Sequence, residues 1–199
     1  MKTLAAALLL GLASTVAVAQ DAKPTAAPAA AAPAAPVADP AMSALRPVWD
    51  RLKDLNLRAA GKMPEESYSF KAAAEVKSFG QIVAHLADAQ FLMAGRILGE
   101  TPPAADIEKT KTTKADIVAA LAQSNAYLDK AFAMGDADAA KTAKLFGRDV
   151  PRFTVFATAI GHGYEHYGNL VTYMRMKGIV PPSSEPRPAA PAPAPAEKK

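Results

Sequence analysis

The chain has 199 residues, half of them hydrophobic, with 17 prolines, a formal net charge of +4 and no cysteine. Lack of cysteine excludes disulfides, thiolate nucleophiles and thiolate ligands, so any metal here would be held by nitrogen and oxygen. The small cationic surplus is scattered among acids with no Lys/Arg cluster interleaved with aromatics, which excludes a nucleic-acid footprint.

Met1 and Lys2 form a short basic start, Leu4 to Leu12 an apolar stretch of signal-peptide length, and Ala17-Val18-Ala19 a small-residue cleavage motif. Residues 1–19 therefore read as an export signal, and the mature protein is expected in the periplasm or the medium. No later run reaches the roughly 18 apolar residues that a transmembrane helix needs. Residues 20–41 and 183–199 are dominated by Ala and Pro. Neither can bury enough surface to offset its ordering entropy, so they are expected to be a linker and a disordered tail around a folded domain over 42–182.

Within that domain apolar residues recur at spacings of three and four, with no convincing strand-like alternation, which predicts an all-α fold. The first helix carries Leu45, Val48, Trp49, Leu52, Leu55 and Ala59 on one stripe, pairs Asp54 with Arg58 on the other, and stops at Gly61 and Pro64. Pro47 is expected in its first turn, where the missing N–H costs nothing. Ser78 and Gln81 form a capping box for a second helix through Ile82, Leu86 and Met93 to Gly99. Thr113 and Asp116 cap a third, through Leu121 and Leu128 to Gly135, and Asp149 with Pro151 opens a fourth that ends at Gly178. Helices of this length are each about 30 Å long, the height of a four-helix bundle. The connections over 65–77, 101–112 and 136–148 are long enough for crossovers, and Tyr68, Phe70, Leu145 and Phe146 are expected to pack them onto the bundle ends.

The chain has three histidines. His162 and His166 lie four residues apart in the fourth helix and so share one face, while His85 sits at the margin of the second helix's apolar stripe. They can be ordinary partnered core histidines. HGYEH also fits the H-x-x-E-H of inverted zinc peptidases, with Glu165 as base. That site needs a further ligand downstream, where the only acids are Glu185 and Glu197 in the tail. Alternatively, His85 joins the pair as a three-histidine metal site in the bundle core, leaving positions open for water or substrate. Asp88, one turn after His85, and Glu165, one turn after His162, would then orient an imidazole or act as base, or be plain solvated charges. Asn169, Tyr164 and Tyr167 are candidate pocket walls. Gly161, Gly163 and Gly168 weaken the fourth helix, which points to close approach of a neighbouring backbone or a ligand.

In MPEESYSF, SFGQIVAHLADAQ and EHYGNLVTYMRMKGIVPPS the chain resembles the exported subgroup of the DinB/YfiT-like superfamily of metal-binding four-helix bundles, across residues 42–182. The resemblance implies that His85, His162 and His166 are the metal ligands. Members include thiol-dependent S-transferases and isomerases, and others described as metal-dependent hydrolases, so a site is implied more firmly than a reaction. The expectation is an exported bundle holding zinc, nickel, manganese or iron, whose metal-bound water acts hydrolytically on a small substrate. A thiol-dependent S-transferase is one alternative, weakened by export because small thiol cosubstrates belong to the cytosol. A non-catalytic metal-binding or stress-protective protein is another. Family bundles often pair, so a homodimer through Trp49 or exposed apolar loops is also implied.

Overall fold

A computed structural model describes residues 37–186. The expected export signal, most of the linker and all but the start of the tail lie outside the described residues. Among these residues are six helices, α1 (Pro40–Lys62), α2 (Phe79–Leu98), α3 (Ile107–Thr110), α4 (Lys114–Phe132), α5 (Asp136–Ala139) and α6 (Arg152–Met176), with a hairpin of β1 (Thr142–Leu145) and β2 (Arg148–Pro151). None of the helices is long and apolar enough to cross a membrane.

The helix ends follow local chemistry. The Ser78 hydroxyl accepts from the Gln81 N–H while the Gln81 side chain accepts from the Ser78 N–H, and Gly99 closes α2 at φ 75°. Thr113 accepts from the Asp116 N–H at the head of α4, a cap worth about 1 kcal/mol. At the head of α1 the Asp136 carboxylate takes the Ala41 and Met42 N–H groups, while Asp39 takes the Asp136 N–H in return.

Three expectations are corrected. Because α1 begins at Pro40, Pro47 lies inside the helix rather than in its first turn. Trp49 is buried, stacked on Phe132 with ring centroids 5.2 Å apart, and its Nε1–H donates to Asp129 at 2.6 Å, so it is core and offers nothing to a dimer surface. Asp149 and Pro151 belong to β2, paired with β1 in the register Ala143↔Val150 and Leu145↔Arg148, and α6 starts only at Arg152. The hairpin turns the Ala143 and Leu145 side chains into the core.

Side-chain pairings establish how the long helices run. Ala84 and Ile117 line one cleft, Gln90 meets Ser124, and Phe91 packs near Tyr127, so α2 and α4 are parallel. Trp49 meets Asp129 while Lys114 reaches the Gly61 carbonyl, so α1 and α4 are antiparallel. The Tyr173 hydroxyl donates to the Lys77 carbonyl and His85 meets His162, so α2 and α6 are antiparallel. Around the bundle α1 packs on α4 and α6, and α2 packs on the same two from the opposite corner. With α2 and α4 parallel, the chain between Gly99 and Thr113 must return along the bundle, and α3 lies on that return path against α2.

The core between these helices contains Trp49, Leu52, Phe79, Leu86, Phe91, Leu121, Leu128, Phe156 and Leu170, all essentially inaccessible to solvent. Gly163 allows α1 and α6 to close on each other, since a Cβ there would stand 2.6 Å from Leu52 Cδ2. Gly161 and Gly168 have nothing within 4 Å of that position, so close packing explains only one of the three α6 glycines. Tyr68 and Leu145 pack inward as expected, whereas Phe146 is 75% exposed.

Candidate metal centre

His85 lies in the second turn of α2, and the capping box decides where that helix begins and thus where the ring emerges. His162 and His166 project from successive turns of α6. Antiparallel packing sets the three rings together, with centroids 5.2 Å apart for His85–His162, 5.0 Å for His85–His166 and 4.4 Å for His162–His166. One nitrogen from each ring lies within 4.8 Å of the other two, and all three side chains are half-buried.

Each Nδ1 is turned to a polar neighbour. That of His85 is 3.6 Å from the Glu108 carboxylate, that of His162 is 4.0 Å from Glu165, and that of His166 is 3.3 Å from the Asn169 amide. An Nδ1–H directed outward leaves Nε2 as the free ligating nitrogen, and turning the Asn169 amide presents its Oδ1 to such a donor. The Nε2 of His162 is buried with no hydrogen-bond partner. Such an atom costs about 1–3 kcal/mol unless something occupies its lone pair. An all-imidazole donor set suits a borderline divalent ion, so the residues present fit a metal.

Burial, the neighbouring histidine rings and, for His166, Lys77 favour the neutral forms of His162 and His166. The pKa of His162 is lowered, first by burial and then by His85, against the pull of Glu165. Burial, then His162 and His85, push His166 down to about 4. Neutral imidazole is the form that ligates, so these two side chains are available to a cation across the neutral range.

Both carboxylates expected at the site are near it, but their roles differ. Glu165 stands at the rim with its side chain 71% exposed and free to act on a ligand. Asp88 is committed to backbone, its two oxygens accepting the Ile107 and Glu108 N–H groups at 2.8 and 2.9 Å. It therefore caps α3 rather than serving as a base or touching a histidine. The acid that does face His85 is Glu108, itself ion-paired with Lys77. Sequence reasoning missed it because it lies in a connection; the signal available was an acid shortly before the Thr113 cap in a loop long enough to run back along the bundle. Glu185, the downstream acid of the peptidase pattern, is paired with Arg58 and Lys62 on α1. Tyr167 is buried and its hydroxyl accepts from the Ser183 N–H, so it anchors the segment after α6, while Tyr164 points to solvent.

Beside His85 and His162 opens a cavity of about 510 Å³, bounded by Ala89, Leu92 and Met93 on α2, Gly161 on α6 and Phe146 on the hairpin. The volume lies in the range of small-molecule sites.

A family model described as the DinB superfamily matches residues 45–170. Among solved structures the chain is similar to a DinB-like protein from Bacillus cereus, at 19% identity and a TM-score of 0.64, over 70% of this chain and 95% of that one. It is also similar to a DinB-like protein from Bacillus subtilis, at 23% identity and a TM-score of 0.55, over 68% of this chain and 92% of that one. At such identities the likeness is one of fold. No curated protein matches the chain significantly.

Proposed function

The chain belongs to the DinB superfamily, and from that membership and its converging imidazoles we propose that it is an exported protein binding one divalent ion through His85, His162 and His166 and acting hydrolytically on a small substrate. The observation that carries the metal is the buried, unpartnered Nε2 of His162 within a cluster of three imidazoles. Export rests on the Met1 to Ala19 pattern. Zinc, nickel, manganese and iron all suit three imidazoles.

A bound ion would supply Lewis acidity, polarising a coordinated carbonyl oxygen or lowering the pKa of a coordinated water. The protein's own groups do the rest. Glu108 fixes the His85 ring through Nδ1, and Asp88 positions Glu108 by gripping the backbone of α3. Glu165 lines the cavity next to His162 and is placed to take a proton from a ligand there. Leu92, Met93 and Phe146 give the cavity an apolar lining.

Metal analysis of the purified full chain tests the first step. About one equivalent of divalent metal that disappears in His162→Ala is expected; substoichiometric metal indifferent to that change sinks the proposal. A hydrolase screen on the loaded protein separates enzyme from binder, since turnover must vanish in His166→Ala. Turnover that needs an added small thiol would identify an S-transferase, and metal without turnover a binding protein.

A further inference from the structure

The hairpin that borders the metal cavity turns on an ill-suited residue. Its register pairs Leu145 with Arg148, leaving the two-residue turn Phe146-Gly147, and both residues have positive φ, 48° and 79°. Such turns favour Asn or Asp before Gly, because a short polar side chain tolerates the left-handed region; a bulky side chain there is strained. Phe146 is also 75% exposed, so the chain bears both backbone strain and an uncovered aromatic ring at one position. Neither cost is repaid by packing among the described residues. Strain of this kind is concentrated at functional sites.

The ring has a definite neighbour. Phe146 lines the same cavity as His85 and His162, together with the apolar Leu92, itself 40% exposed, and Met93. Gly161 also lines the cavity, and a Cβ there would meet no atom within 4 Å. No Lys or Arg lines the space, whereas Asp88 and Glu165 do, which disfavours an anionic body in it. Resting on the metal reading above, we propose that Phe146 is a specificity-determining residue: it clamps an uncharged aromatic or branched apolar group against Leu92 while a polar donor of the same small molecule reaches the histidines.

The test uses the full chain and two substitutions, Phe146→Asn, which suits the turn and removes the ring, and Phe146→Leu, which keeps apolar bulk. On zinc-loaded protein, benzohydroxamic acid should bind at least ~10-fold tighter than acetohydroxamic acid, the gain expected for a buried ring. Phe146→Asn should reduce that preference to about twofold and raise Tm by about 4 °C as strain is relieved, with zinc content unchanged; Phe146→Leu should keep part of the preference. On metal-free protein the neutral dye N-phenyl-1-naphthylamine should bind wild type and lose affinity about 10-fold in Phe146→Asn. Equal affinity for the two hydroxamates in wild type, a preference or dye affinity that survives Phe146→Asn, or a lower Tm in that variant overturns the proposal. If wild type takes up none of zinc, nickel, manganese or iron, the metal reading fails alone and the dye measurement still decides the role of Phe146.

Discussion

Glu108 Oε2 stands 3.6 Å from His85 Nδ1, although the two residues belong to different elements. The contact exists because Asp88, one turn beyond His85, accepts the Ile107 and Glu108 N–H groups and so clamps α3 against α2. A carboxylate behind a ligating imidazole fixes its tautomer and raises its basicity.

Glu108→Gln is therefore expected to weaken metal binding by about 10-fold or more, the usual effect of losing such a partner. The fold should lose little, because a partly exposed ion pair such as Lys77–Glu108 contributes no more than about 1 kcal/mol. Asp88→Ala should weaken metal binding too, and should also cost about 1–2 kcal/mol of stability by orphaning two N–H groups. Competition against a chromophoric chelator, together with urea melts, separates the two effects; equal stability losses in both variants would contradict the assignment.

The metal-free protein should lose stability on acidification at unusually mild pH. His166 remains neutral in the fold down to about pH 4, whereas an unfolded histidine protonates near 6.5. Between those values the unfolded state binds the extra proton, so the contribution is complete above about pH 6.5 and is lost as pH falls toward 4. His162, lowered by burial and by His85, adds to the slope in the same direction. Thermal melts of metal-free protein across this window should show Tm falling for wild type and a flatter profile for His166→Gln; parallel profiles would refute the linkage.

Two glycines of α6 should respond oppositely to alanine. A Cβ at Gly163 would lie 2.6 Å from Cδ2 of Leu52, a fully buried side chain that would have to shift within the packed core. Overpacking of about 1–3 kcal/mol exceeds the ~1 kcal/mol gain in helix propensity, so Gly163→Ala should be destabilising on balance. Gly168 has nothing within 4 Å, and Gly168→Ala should stabilise by about 0.5–1 kcal/mol. Denaturant midpoints decide both signs.

Divalent metal should stabilise the fold by an amount that grows with the logarithm of its free concentration above Kd. At 100-fold excess over Kd the gain is about 2.7 kcal/mol, which for a domain of this size is a rise in Tm of about 5–10 °C. The rise should be absent in His162→Ala, and a rise of equal size there would place the ion elsewhere.

The capping residues Ser78, Gln81, Thr113 and Asp116 could be read correctly from the chain because each acts within three residues of its partner. The hairpin could not. Thr142 to Leu145 alternates for only four residues, and Asp149 followed by Pro151 mimics a helix start. Pairing across the turn and burial of Ala143 and Leu145 outweigh that local signal. Phe146 was expected to pack inward on the strength of its hydrophobicity, yet the turn places it on the outside.

What the order of residues decided unaided was the helical class, both ends of α2 and the start of α4, and the presence of His162 and His166 on one face of α6, since all of these depend on hydrogen bonds and periodicities within a few residues. Which helices touch was a tertiary matter. The parallel run of α2 and α4 forces the intervening chain back along the bundle, and that return path brings Glu108 to His85 and commits Asp88 to backbone. The same packing sets His85 against the α6 pair and the hairpin beside the cavity. Contacts of this kind depend on how the long connections close and on which apolar faces bury one another, neither of which leaves a local mark in the chain.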